Sequence, residues 1–458
     1  MSDKICSSAD KVLEVFLENA PMDTSHHRMV KQQNKCGYGL QGVCCRLCSN
    51  GPCRLSPAKP KGVCGADADT IACRNFLRQV AAGSGCYTHV VENTARRLKE
   101  LAQELQAEGK KPKYKDSVAK LAKILQINCC GNCGPDCHNS CAKTAEMIAD
   151  AVLADIRKPY DEKMTLMKNI ALPKRYELWE KLGILPGGAK DEIFNAVVKT
   201  STNLNSDPMD MLLQCLRLGI STGNYGLILT NLMNDIIMGP PQISMDPVGF
   251  RIIDPEYINI MITGHQQSMF ADLEEKLESE IVQKSAQLVG AKGIRIVGCT
   301  CVGQDYQARS GCYKDVYCGH AGNNYTSEAV LMTGCVDLVV SEFNCTIPGI
   351  EPICDQLDIK MLCLDDVAKK ANAQLLPYTA EEKEKITSQI IADALCGFKN
   401  RKEKEYILIR QSLSERQVKL FCIIFWSNPL IATVIAIPAR NCFRLLWEER
   451  QSQSKIRA

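Results

Sequence analysis

Apolar residues recur at three- and four-residue intervals through 66–108, and the periodicity predicts a long helix there. A short helix is predicted over 8–20, and between the two lies a loop, 36–65, without helical or strand period. The polar stretch GKKPKYKD reads as a linker, and SVAKLAKILQI beyond it as another helix. Helical patterns continue to about 240, interrupted at LPGGAKD (185–191) and MGPPQ (238–242), where Gly and Pro break the period. The texture then changes. YINIMITG (257–264), IRIVG (294–298), VDLVVSE (336–342) and KMLCL (360–364) are short β-rich runs. Helix-like segments separate or follow them: MFADLEEKLESEIVQKSAQLVG, NNYTSEAVLMTG and AEEKEKITSQIIADAL. Strands alternating with helices predict a parallel, doubly wound sheet. The expected architecture is therefore an α-helical domain over 1–242 and a Rossmann-like α/β domain over 243–405. A third stretch, 406–458, carries the apolar run LFCIIFWSNPLIATVIAI (420–437), about the minimum length to cross a bilayer. Asn428 and Pro429 at its centre weaken that reading, and a membrane anchor is the lesser expectation.

Charge adds little to this picture. The net charge of +3 gives no field that would recruit nucleic acid or an acidic membrane, and 45% apolar with 23% charged residues fits an ordinary folded chain. Cysteine changes it. There are 26 in 458 residues, and eight of them fall between Cys36 and Cys86. A chain this long needs no disulfide staples. Its first residues, MSDKICSSADKVLEVFLENA, lack the basic start and apolar core of a secretory signal, so a cytoplasmic protein is expected. Its cysteines should then be thiols or metal thiolates. Cys215 and Cys396 suit packing as small buried hydrophobes, but the crowding around 44–53 does not.

Cys45, Cys48, Cys53 and Cys64 have two, four and ten residues between them, in a loop rich in Gly and Pro. Such loops bring four thiolates together around a cubane iron–sulfur cluster. Four cysteines at short spacing also suit structural zinc. Neighbouring Arg46 and Arg54 would offset the negative charge. Cys36 and Cys44 are left over, and two ligands cannot close a cubane. A twofold dimer would supply two from each chain. A second knot, CCGNCGPDCHNSC, places Cys130, Cys133, Cys137 and Cys141 at x2, x3, x3 and is read as a further iron–sulfur or zinc site.

The stretch CGYGLQGVCCRLCSNGPCRL, followed by GVCGAD, resembles the N-terminal signature of the anaerobic nickel–iron–sulfur carbon monoxide dehydrogenases. The resemblance implies that Cys36 and Cys44 bind the D-cluster, which bridges a homodimer. It implies that Cys45, Cys48, Cys53 and Cys64 bind the B-cluster, which relays electrons.

In the α/β part, His265, Cys301 and Cys345 each follow the end of a predicted strand. In an open parallel sheet those ends line the edge where ligands bind, and three soft or borderline donors on one edge make a metal-site pattern. Taken singly, a His beside a loop is an ordinary surface group and a Cys after a strand is ordinary core. The segments GHQQS, GCTCVGQD and VVSEFNCTIPG resemble those that carry part of the C-cluster, the Ni-4Fe-4S active site of the same family. By that resemblance His265 and Cys301 would bind the iron outside the cubane and Cys345 an iron within it. The implied reaction is CO + H2O to CO2, two protons and two electrons, delivered through 4Fe-4S clusters to an acceptor such as a ferredoxin.

The resemblance runs over about 30–405. The family continues into a third domain with three more cysteine ligands, whereas only Cys422 and Cys442 follow here, so a truncated or frameshifted product is expected. Where the family carries a proton-relay histidine and further histidines along one helix face, this chain reads Tyr87, Val90, Asn93 and Arg96, with His89 off that face. A phenol, with its ordinary pKa near ~10, is a poor proton carrier at neutral pH. The family's Asp-Gly-Trp-Gly turn corresponds to Ser221–Gly226, without a carboxylate. Two competing readings follow: a non-catalytic iron–sulfur electron-transfer protein, and a hybrid-cluster hydroxylamine reductase-like enzyme. Cys318 with His320, and Cys299, are lesser candidates for the same sheet edge.

Overall fold

The computed structural model describes residues 18–128 and 140–402, apart from 203, 243–246, 267, 310 and 313–314. The predicted helix at 8–20 and the tail at 406–458 fall almost wholly outside the described residues, as do Cys130, Cys133 and Cys137. Two compact units form, one over 33–240 and one from 18–32 together with 241–402. The short helix Ser25–Lys31 thus belongs with the α/β unit, where Ser25 N donates to Glu328 at 2.6 Å and Arg28 pairs with the same buried carboxylate.

The unit over 33–240 opens with the cysteine loop, whose strands β1 (Cys44–Cys45) and β2 (Cys53–Arg54) pair antiparallel. Helix α1 follows as one rod, Ala68–Ala107, with Asp67 at its N-cap accepting from Thr70 N at 2.9 Å. Its Val91, Ala95, Leu98 and Ala102 repeat at four, three and four residues and so share one face. That face buries against Ile148, Val152 and Ile156 of α2 (Ser140–Ile156). Helices α3 (Ala189–Lys199) and α4 (Pro208–Ser221) pack on α1 further towards its start. After α4 the chain continues as a π-helix, Thr222–Leu229, and then as Thr230–Ile237. A Cβ on Gly226 would stand 2.6 Å from the Cβ of Tyr87, so glycine is what lets the π-helix lie against α1.

The other unit is an all-parallel, six-stranded sheet: β3 (Ile258–Thr263), β4 (Ile294–Cys299), β5 (Tyr317–Gly322), β6 (Leu338–Ser341), β7 (Lys360–Cys363) and β8 (Gln374–Leu375). Its spatial order is β5-β4-β3-β6-β7-β8. The sequence runs outward from β3 to β5, then returns to the other side of β3 at β6, which is the strand order of a doubly wound Rossmann sheet. The fold class read from the sequence is borne out. Every residue of β3 is buried, as a central parallel strand covered on both faces requires. β5 and β8 escaped the hydrophobic pattern. β5 is YCGHAG, alternating buried and half-buried at the sheet edge, and β8 is only two residues long. The segment read as one helix after β3 is two, Ser268–Leu277 and Glu280–Leu288, because Ser279 caps the second through Val282 N at 3.4 Å. Cys396 is exposed rather than packed in the core. On its helix, Lys383–Lys402, the buried face is Ile386, Ile390, Ala394 and Phe398, and position 396 points away.

Candidate metal centres

Successive strand residues face opposite ways, and β1 uses this. Cys45 faces inward and, with Cys48, Cys53 and Cys64, lines a small cavity closed by Leu47, Gly62, Ile71, Arg74 and Thr202. Cys44, its neighbour, is not part of that lining. The quartet is therefore brought together and Cys44 is left outside it. Asn75 of α1 fixes the strand by donating to the carbonyls of Gly42 and Cys44 at 3.0 and 2.9 Å. Cys36 is exposed at the start of the short helix Gly37–Leu40, where the backbone amides of Gly39 and Tyr38 hold its thiol below the usual range. Arg46 and Arg54 are both exposed, and Arg54 lies over the Tyr38 ring at 5.8 Å. The buried cation in the cavity wall is Arg74, which the sequence reading missed.

The second centre forms where β3 and β6 part. Ligand atoms of His265, Cys301 and Cys345 all lie within 4.8 Å of one another, and the two Sγ atoms are 3.2 Å apart. These residues follow β3, β4 and β6. The strand order reverses between β3 and β6, so the cluster sits at the topological switch point, where the crossovers diverge and leave a crevice. The backbone there is strained to serve this geometry. Thr300, Asn344 and Cys345 are left-handed at φ 60°, 61° and 54°. Thr300 is tied to the β3 end: its hydroxyl accepts from Gly264 N at 2.8 Å and contacts Gly264 O at 3.0 Å. Thr263 Oγ1 lies 3.3 Å from Thr300 Oγ1 and 3.2 Å from Thr346 Oγ1, which links the three strand ends.

Glu342, fully buried at the end of β6, receives the backbone N–H groups of His265 and Gln266, the latter at 2.7 Å. Gly264 is at φ 141°, and a Cβ there would run into this carboxylate. Burial pushes the Glu342 carboxyl well above the ordinary range. The 3.2 Å contact couples the two thiols. Cys301 is held low by the hydrogen bond from Cys345, against burial, and further by the His265 ring. Cys345 is pushed up by the same contact and by burial.

The lesser candidates do not join this group. Cys299 is buried with its thiol pushed up to about 12 and pointing 3.0 Å from Gly322 O. Cys318 lies 3.0 Å from Ile296 O within the sheet. His320 beside it is pushed down to about 4 by burial. Of the second knot only Cys141 is described, buried in the first turn of α2. Tyr87, Val90, Asn93 and Arg96 all lie on α1, and His89 Nε2 sits 3.0 Å from Asn93 Nδ2.

A doubly wound sheet with nitrogen and sulfur donors at its switch point, in a chain that also folds a cysteine quartet beside a helical bundle, points to the class of metal-cluster proteins. The chain belongs to the Prismane/CO dehydrogenase family, whose profile matches residues 43–436. It is 44% identical over 405 residues to a carbon monoxide dehydrogenase of Methanopyrus kandleri, covering 88% of this chain and 61% of that one. It is 41% identical over 408 residues to the carbon monoxide dehydrogenase of Methanocaldococcus jannaschii, covering 88% and 64%. Its fold matches the crystal structure of carbon monoxide dehydrogenase from Thermococcus sp. AM4, isolated free of nickel, with a TM-score of 0.78 at 28% identity over 86% of this chain and 61% of that chain. The family resemblance read from the cysteine signature is thus borne out. The chain spans about three-fifths of the length of these relatives.

Proposed function

We propose that this chain is the catalytic subunit, or the greater part of it, of a carbon monoxide dehydrogenase that passes two electrons from CO and water to an acceptor of ferredoxin type, as a homodimer in the cytoplasm. The observation that carries the reading is the convergence of His265, Cys301 and Cys345 within 4.8 Å at the switch point. One imidazole and two thiolates are a soft donor set, suited to iron and nickel rather than to a hard cation. When bound, a Ni-4Fe-4S group would supply a soft site for CO and a Lewis-acidic iron that makes water acidic at neutral pH.

The chain's own residues have defined parts in this. His265, Cys301 and Cys345 would hold the group through one imidazole nitrogen and two sulfurs. Cys301, already biased towards the thiolate, needs the least help to shed its proton. Glu342 orients the His265 loop through its backbone rather than through the ring. Cys45, Cys48, Cys53 and Cys64 would hold a 4Fe-4S relay in their shared cavity, and Cys36 and Cys44 would supply half of a cluster shared with a second copy. The exposed Phe194 and Val197 of α3, and Met209, Leu212 and Leu216 of α4, give the helical unit an apolar surface for such a partner. Carbon monoxide as substrate is taken over from the relatives, which are carbon monoxide dehydrogenases.

The test is CO-dependent reduction of a viologen dye by protein matured anaerobically with nickel and iron. Activity that disappears in His265→Ala is the expected result. No activity from protein carrying full nickel and iron would overturn the assignment.

A further inference from the structure

Arg74 has no role in the sequence signature, yet its setting is unusual. It projects from α1 into the wall of the cavity that Cys45, Cys48, Cys53 and Cys64 line, and it is only 3% exposed. One guanidinium nitrogen, Nη2, donates to Asn205 O at 3.1 Å. Its Nε–H is buried and meets no acceptor among the described residues. That partner is a neutral carbonyl, and Arg74 has no ion pair to an acidic side chain among the described residues. A buried cation is costly unless an anion faces it, and a buried donor left unmet adds to that cost. Both costs vanish if an anion occupies the cavity. Four thiolates around iron form such an anion, and their sulfurs accept hydrogen bonds.

We propose that Arg74 tunes the potential of the cluster held by the quartet, by lending it a buried positive charge and an N–H donor. This rests on the reading that the quartet binds a 4Fe-4S cluster. Reduction adds one electron and therefore one negative charge to the cluster. A fixed cation stabilises the more negative form, so Arg74 raises the midpoint, and removing its charge lowers it. Arg74 is a positioning residue, since it acts through the cluster and touches no substrate. Exposed Arg46 and Arg54 are screened by water and contribute far less.

The test is an anaerobic redox titration of the full chain followed by electron paramagnetic resonance, on the reduced-cluster signal that Cys48→Ser removes. In Arg74→Gln that signal should titrate at a more negative potential, with about a tenfold lower reduced fraction at fixed poise, which is about 59 mV for a one-electron couple. Arg74→Lys, which keeps the charge, should stay close to the parent. An unchanged midpoint in Arg74→Gln with full iron content would overturn the proposal. Should Arg74→Gln fail to assemble, Arg74→Lys decides: full iron and a near-parental midpoint support a charge role, whereas loss of the cluster there too makes the residue merely structural. A parent protein without any signal removed by Cys48→Ser would instead refute the cluster reading itself, which keeps the two failures distinct.

Discussion

Thr300 holds a backbone conformation that β-branched residues rarely adopt, and its hydroxyl ties the end of β4 to Gly264 at 2.8 Å. Thr300→Val keeps the shape and the strain but loses these hydrogen bonds. It should destabilise the α/β unit by about 1–3 kcal/mol in urea unfolding. Thr300→Gly, which relieves the strain while losing the same bonds, should fall closer to the parent. His320 offers a second residue-scale expectation. Burial pushes it down to about 4, so the unfolded chain takes up its proton at a higher pH than the folded protein does. Its neutral burial is fully compatible with folding above the ordinary histidine pKa of ~6.5. As pH falls from there towards 4 stability should drop, by about 3 kcal/mol at the lower end. His320→Gln should flatten that part of the urea-midpoint profile, and an unchanged slope would refute the assignment.

The candidate donors His265, Cys301 and Cys345 were legible because they carry distinctive chemistry just after strands that hydrophobic runs announce. Thr300, Glu342 and Arg74 were not. A hydroxyl, a carboxylate or a guanidinium gives no sign in sequence of whether it ends on the surface or buried against a strand end or a cavity.

At the scale of elements, the long helix α1 was legible from its period, and the π-helix that packs on it was not. Thr222–Leu229 continues α4 through a helical Ser221 with no capping side chain, so nothing at its start marks the change of turn. Gly226→Ala puts a methyl 2.6 Å from the Tyr87 Cβ, so one of the two elements must shift. The expected cost is about 1–3 kcal/mol, read as a lower thermal midpoint for the helical unit. Parental stability would mean that the contact is loose. The sheet shows the same division. Its central strands β3, β4, β6 and β7 were plain as buried aliphatic runs. Edge strand β5 was not, because YCGHAG has neither aliphatic density nor a β-branched residue.

At the scale of the whole molecule, two units carry complementary sets of donors. The unit over 33–240 gathers a quartet in one cavity, and the α/β unit gathers a nitrogen and two sulfurs at a switch point. This division follows from physics already present in the strand order. A doubly wound sheet opens a crevice only where its order reverses, and β3 and β6, which flank that point, deliver His265 and Cys345. The quartet instead sits in a loop whose few apolar residues, Val43, Leu47 and Leu55, pack with Ala66 and with Ile71 of α1. Among the described residues no helix is long and apolar enough to cross a membrane.

The most direct measurement is nickel and iron per chain in anaerobically matured protein, compared with a variant carrying His265→Ala, Cys301→Ser and Cys345→Ser together. The account predicts that the parent holds nickel, and that the variant loses it with part of the iron while keeping the iron of the cysteine quartet. Equal nickel and equal iron in the two proteins would contradict it.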